Sequence, residues 1–135
     1  MPTLPSGLPE NVADGEAIVR FLTQSSHYNS TQPKPVAFLP NTANLETSVS
    51  RHGRTPLARL KQIGQVAAGP RTLHGAALFT ALDVRSAALD VLADEPPDFH
   101  AVIRGWPSDA DPALQKARQK EKAILIASAA ELLVF

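Results

Sequence analysis

The chain contains no cysteine, and this absence removes several kinds of chemistry at once. Disulfides, thiolate zinc sites, iron–sulfur clusters and cysteine nucleophiles are all excluded. Net charge is absent too, because 13 basic side chains balance 13 acidic ones, so no global field attracts nucleic acid. No apolar run approaches the roughly 20 residues that span a bilayer. We therefore expect a cytoplasmic protein without membrane contact.

Recognisable motifs for metal or nucleotide binding are missing as well. The four histidines are scattered along the chain, and none stands two or four residues from another. There is no HExxH motif, no EF-hand loop and no G-x-G-x-x-G segment. We expect neither a bound metal nor a cofactor. The histidines are His27, His52, His74 and His100.

What the sequence does contain is the composition of one folded domain. The 135 residues match the commonest domain size, and 44% of them are hydrophobic. Residues 1–10 carry three prolines and one glycine, and we interpret them as an irregular lead-in. They lack the basic and apolar regions of a signal peptide.

Apolar spacing and turn residues indicate the order of the elements. Residues 81–93 are ambiguous, either a short helix (81–88) followed by a strand (89–92) or one longer helix. A turn at 40–44 is expected to join two strands as a hairpin. Two helices are predicted over 14–24 and 56–68, and a third, of about six turns, starts at Asp111. The predicted strands span 34–39, 45–51, 72–80 and 99–106.

The last predicted helix has the clearest signals. Asp111 is a good N-cap, and Pro112 suits the first helical position. An apolar stripe follows at three- and four-residue steps, with basic residues on the outer faces; it includes Leu114, Ala117, Ile124, Leu125, Ala127 and Leu132. These elements predict an α+β single domain, with a small mixed or antiparallel sheet, about three to four helices and a long C-terminal helix.

Polar residues concentrate in a loop at 25–30, directly after the first predicted helix. His27 could act as an acid, a base or a phosphate contact, and Tyr28 could stack on a nucleobase. The alternative is a solvated turn whose serines and asparagine cap the local backbone.

Two arginines and a histidine precede the second predicted helix. Arg51, His52 and Arg54 stand beside backbone N–H groups at a helix N-terminus, which favours an anion site. The segment lacks the spacing of a phosphate loop. Alternatively, these arginines pair with surface carboxylates.

The strand before Pro107 places polar residues on one face. His100 and Arg104 would share that face at a separation of about 13 Å along the strand. Trp106, the only tryptophan, follows them. This pattern predicts either a polar pocket with an aromatic wall or a tryptophan that caps the core.

Several short motifs occur in a familiar order and resemble a family of small bacterial proteins of unknown function. That resemblance implies a bacterial source and a domain that stands alone, and it carries no activity. The motifs are Arg20-Phe21-Leu22, Ser26-His27-Tyr28, 34–40 (KPVAFLP), 47–51 (TSVSR) and 100–107 (HAVIRGWP).

Two functions remain open on the sequence alone. The first is an accessory or binding module that acts with a larger protein partner, docking near Trp106, and self-association is compatible with the absence of net charge. The second is a small enzyme on a nucleotide or nucleic acid, similar in chemistry to an RNase or an ADP-ribosyltransferase. In that case His27 and His100 would transfer protons, and Arg51 and Arg104 would hold phosphate.

Overall fold

Six strands form one antiparallel sheet in the computed structural model, which describes residues 3–135. The strand order across the sheet is β4-β5-β2-β1-β3-β6. The strands are β1 (Ala17–Leu22), β2 (Thr47–Ser50), β3 (Gly75–Thr80), β4 (Asp90–Ala93), β5 (His100–Arg104) and β6 (Glu131–Val134), and the helices are α1 (Leu57–Ala68), α2 (Ala81–Ser86) and α3 (Pro112–Ala129). The α+β class, the antiparallel sheet and the long helix near the C-terminus are confirmed.

The two faces of the sheet bury different sets of side chains. Ile18 and Leu22 of β1 belong to the main core, together with Ala123 and Ile126 of α3. The alternate residue Val19 belongs to a second cluster, with Leu60 of α1. Because side chains alternate along a strand, α3 and α1 cover opposite faces.

The first predicted helix is wrong, since residues 17–22 form β1, which pairs with β3 along its whole length. The predicted strand over 34–39 is also wrong. Pro35–Phe38 form a 3₁₀ turn, in which Leu39 donates to the carbonyl of Val36 at 3.4 Å. Since this segment is not a strand, the hairpin expected around 40–44 does not form, and β2 pairs with β5 and β1 instead.

Other boundaries agree with the sequence. Helix α1 ends where Gly69 adopts a φ of 59°, a left-handed conformation that glycine accommodates without strain. The ambiguous segment 81–93 resolves into α2 followed by β4, the first of the two alternatives. Met1 and Pro2 of the predicted lead-in lie outside the described residues.

Helix α3 buries a face different from the predicted one. Asp111 caps it as expected, accepting a hydrogen bond from the Ala113 amide at 3.0 Å. The helix ends after 18 residues, five turns rather than six, and Leu132 lies in β6. Leu125 is 55% exposed. The buried residues are Gln119, Ala123, Ile126 and Ala127, of which only Ile126 is a large apolar residue and only Ala127 belongs to the predicted stripe.

No helix of residues 3–135 combines the length and the apolar composition needed to cross a membrane.

Candidate functional site: a cationic cavity between the sheet and helix α1

A cavity of about 730 Å³ lies between α1 and the sheet. Val19 and Phe21 of β1 line it, as do Ser50 of β2 and His100 of β5. Helix α1 packs on the β1–β3 side through Leu60. Because α1 covers the β1–β3 side of this face, the polar side chains of β2 and β5 point into an open space. The cavity therefore has one polar wall and one helical wall.

The helical wall contributes apolar side chains. Ile63, Val66 and Ala67 all line the cavity, and Val66 is 84% exposed. Gly64 sets how closely this wall approaches the sheet. A Cβ at Gly64 would lie 2.8 Å from ring carbons of Phe21, so only glycine leaves room for the ring.

At one end of the cavity, the Ser50 hydroxyl lies between two imidazoles. Ser50 is hydrogen-bonded to Nδ1 of His52. It also lies directly opposite His100 in the β2–β5 ladder, so both side chains are on the same face. The His52 ring stacks on Phe99, with centroids 4.3 Å apart and planes 11° apart. The serine and the stacking phenylalanine together fix the orientation of His52.

The backbone sets the proton position on neutral His100. Its Nδ1 lies 2.8 Å from the carbonyl oxygen of Asp94. A carbonyl only accepts, so Nδ1 carries the hydrogen, and Nε2 of the neutral ring holds the lone pair. The Asp94 carboxylate lies 3.3 Å from the same nitrogen.

Arg20 occupies the gap where β1 and β2 separate. The two strands share a single registered pair, Val19 with Ser50. Beyond that pair, Arg20 donates to the carbonyls of Ser48 and Ala37 at 2.9 and 3.0 Å. Burial, followed by the nearby Arg71 charge, lowers the pKa of Arg20. Arginine nevertheless stays protonated in proteins, so the cavity wall keeps a partly buried positive charge.

Two further guanidinium groups flank α1. Arg59 donates to the Gln62 side chain at 3.2 Å, and both residues line the cavity. Arg71 also lines it and donates to the Ala68 carbonyl at 3.1 Å, capping the end of α1. Across residues 3–135, no carboxylate forms an ion pair with Arg20, Arg59 or Arg71.

The charges of the cavity favour neutral imidazoles. Burial lowers the pKa of His27, and the Arg20 charge lowers it further. Burial lowers the pKa of His52 in the same way, and the Arg59 charge adds to it. Both shifts favour the neutral form of these rings. Against three guanidinium groups, one carboxylate, that of Asp98, lines the cavity, so its local charge is positive.

Three of the predicted site residues meet in this cavity, and Arg51 does not. His27, His52 and His100 all line it. The Arg51 side chain is 0% exposed and donates to the Glu16 carboxylate at 2.7 Å and to the Pro9 carbonyl at 2.8 Å. A buried, fully paired guanidinium holds the chain together rather than facing a ligand.

The remaining predicted residues also lie outside the cavity. Arg104 pairs with Glu46 on the surface, and Arg54 is exposed in the loop before α1. The Tyr28 hydroxyl lies 3.0 Å from Nδ1 of His74. Trp106 is 5% exposed within the main core, and its indole N–H has no hydrogen-bond partner in the described part of the chain.

Sequence reasoning missed the three arginines of the cavity. Arg59 and Arg71 look like ordinary solvated residues on and after a helix. Arg20 did carry a signal, because it interrupts the apolar run from Ala17 to Leu22. A charge inside a buried element needs a partner or a function.

Comparison of the chain with protein-family models, with curated proteins and with solved structures finds no match. Within residues 3–135, no group of three or more histidine, aspartate or glutamate side chains is placed to hold a metal ion.

Proposed function

We propose that this protein binds a phosphate ester of the nucleotide class in the cavity beneath α1. One observation carries the proposal: Arg20, Arg59 and Arg71 line a single cavity, and no carboxylate of the described chain forms an ion pair with them. Guanidinium groups that form no ion pair within the protein attract anions, and their planar forks match the oxygens of phosphate.

The rest of the lining favours an organic phosphate over a bare anion. Phe21, Ile63 and Val66 provide apolar surface beside the arginines. A nucleobase or sugar would bury its apolar faces there. A volume of about 730 Å³ lies within the range of pockets that bind small organic molecules. A concave space of this size fits a nucleotide-sized ligand better than it fits the flat surface of a protein partner.

The Ser50 end offers groups for proton transfer. His52 is neutral and can accept a proton, and His100 can donate one when protonated beside Asp94. Hydrolysis of a phosphate ester needs both actions. His52 would take a proton from the attacking water as its oxygen bonds to phosphorus, and His100 would protonate the oxygen that leaves. Such a reaction would make the protein a small enzyme.

The proposal is tested with binding and turnover on one ligand panel. Calorimetry with 5′-AMP, NAD and a short single-stranded RNA should give saturable binding of at least one member. Arg59→Gln should weaken it about tenfold, the scale of one charge-assisted hydrogen bond. Arg118→Gln is the matched control, because Arg118 pairs with Asp109 at the start of α3, across the sheet.

Two outcomes contradict the proposal. One is the absence of binding across the whole panel. The other is an equal loss of affinity in Arg59→Gln and Arg118→Gln, since the effect would then come from general charge. Hydrolysis products are measured in the same samples. Binding without hydrolysis would show that the protein binds nucleotides but is not an enzyme for them. Hydrolysis that is lost in His100→Gln would support the proposed enzyme.

A second candidate function is an accessory module that docks on a larger protein through α3. Leu114, Ile124 and Leu125 lie on one side of this helix and are 41–55% exposed. Such a stripe on an amphipathic helix suits a partner's groove. A photo-crosslinking residue at position 125 should give one defined adduct in cells, and the same residue at the exposed Lys120 should not. Adducts of equal yield at both positions would contradict docking.

A further inference from the structure

We infer that the ligand of this cavity is a short single-stranded oligonucleotide in which two phosphates, separated by at least two nucleosides, contact the two ends of the cavity. The inference rests on the proposed function and names its ligand class. It comes from the distribution of the cationic side chains, which form two groups rather than one.

Helix α1 holds the two cationic groups apart. Arg59 lies in its first turn, and Arg71 follows its last residue, Ala68. Nine residues separate Arg59 from Ala68, a rise of about 14 Å along the helix. Each guanidinium is tethered near its own end of the helix, Arg59 to Gln62 and Arg71 to the carbonyls of Ala67 and Ala68. These bonds oppose a rearrangement that would bring both onto one phosphate.

Each end also has its own imidazole. Besides burial, the Arg59 charge lowers the pKa of His52, and the Arg20 charge lowers the pKa of His27. The Arg71 charge, again besides burial, lowers the pKa of Arg20. One end is therefore formed by Arg59, His52 and the neighbouring Ser50, and the other by Arg20, Arg71 and His27. Two separate clusters of this kind suit two separate anions.

The surface between the clusters is mainly apolar. Val19 and Phe21 form its floor, and Ile63 and Val66 form its wall. Proteins that bind single strands combine cationic contacts to the backbone with apolar or aromatic surfaces on which bases stack. A nucleoside between two phosphates places its base and sugar against this surface.

Other phosphate ligands fit the arrangement less well. A mononucleotide has its phosphate at one position and reaches one cluster. A dinucleotide joined by a pyrophosphate, such as NAD, carries its two phosphates next to each other and leaves one cluster empty. A strand in which two nucleosides separate the contacting phosphates is the simplest nucleotide ligand that spans about 14 Å and contacts both clusters.

The test compares 5′-AMP, NAD and the dinucleotide pApAp, which carries a phosphate at each end, by calorimetry on the whole 135-residue chain at several salt concentrations. We expect pApAp to bind at least tenfold more tightly than AMP or NAD. Its affinity should also fall more steeply with salt concentration than the affinity for AMP, because two phosphates are neutralised rather than one.

Single substitutions then separate the two ends. Arg59→Gln and Arg71→Gln should each reduce the affinity for pApAp to about that for AMP. Only one of the two should affect AMP itself. Arg118→Gln should leave all affinities unchanged.

The outcomes distinguish this inference from the proposed function. If AMP or NAD binds as tightly as pApAp, or if both substitutions weaken AMP binding equally, the two-ended ligand is wrong while nucleotide binding stands. If none of the three ligands binds, the proposed function fails and the inference fails with it. Circular dichroism of each variant checks that a lost affinity does not come from unfolding.

Discussion

Ser50 and His100 lie directly opposite each other on β2 and β5, and the same serine is hydrogen-bonded to His52. One hydroxyl thus borders two imidazoles that reach the cavity from different parts of the chain. His52 follows β2 directly, whereas His100 begins β5, fifty residues after Ser50. The pairing of two strands creates this cluster, and proton transfer in the proposed enzyme depends on it.

The neutral form of His100 should carry its hydrogen on Nδ1. The Asp94 carbonyl accepts from this nitrogen at 2.8 Å, and a carbonyl cannot donate. Two-dimensional ¹H–¹⁵N spectra of the imidazole nitrogens distinguish the two tautomers. Asp94→Asn should preserve the Nδ1–H form, because the backbone carbonyl remains. A neutral His100 protonated on Nε2 would contradict the assigned geometry.

Acidification should destabilise the fold through His27 and His52. Burial and nearby arginines lower the pKa of both rings below the values of the unfolded chain. As the pH falls through about 6.5, the unfolded chain therefore binds protons that the native state does not. Stability to urea should be fully present above that pH and should decline as the pH falls from there to 5.5. The double variant His27→Gln/His52→Gln should show a flatter decline, and an unchanged slope would contradict the prediction.

Gly64→Ala should destabilise the protein although it lies within a helix. The new Cβ would stand 2.8 Å from Phe21 and 2.9 Å from Leu73. Overpacking of this kind costs about 1–3 kcal/mol, whereas an unhindered glycine-to-alanine change stabilises by about 0.4–1 kcal/mol. Gly15→Ala is the matched control, because nothing lies within 4 Å of its added Cβ. Urea unfolding measures the stability of both variants. A Gly64→Ala variant as stable as wild type would contradict the close contact with Phe21.

Glu16→Ala should cost far more stability than Glu46→Ala. Glu16 neutralises Arg51, whose side chain is fully buried, and its removal leaves a buried charge without a partner. The expected loss is about 3–5 kcal/mol. Glu46 pairs with the half-exposed Arg104, and its loss should cost less than about 1 kcal/mol. Chemical denaturation compares the two, and equal losses would contradict the structural role of Arg51.

The sequence predicted the fold class because turns and caps are local signals. Asp111, Pro112 and the segment around Gly69 determine their helix ends through neighbouring residues. Strand β1 was misread for a physical reason. It is buried on both faces, by Ile18 on one and Val19 on the other, so it lacks the alternation that marks a strand.

Helix α3 was predicted as a helix, but its buried face was not. Its leucines form the most hydrophobic stripe, whereas the sheet packs against alanines around Ile126. Small residues allow close packing that hydropathy does not register. The candidate site depended even more on distant contacts. His27, His52 and His100 were recognised one by one, whereas Arg20 and Arg59 acquire meaning only once β1 and α1 are placed together.

Chemical-shift mapping decides whether a nucleotide binds in this cavity, because it locates the ligand on the folded chain. ¹H–¹⁵N spectra are recorded while pApAp is added to the labelled protein. We expect saturable shifts around Arg20, Ser50, His52 and Arg59, with α3 on the opposite face of the sheet unaffected. Shifts confined to α3, or no shifts at millimolar ligand, would contradict nucleotide binding in the cavity.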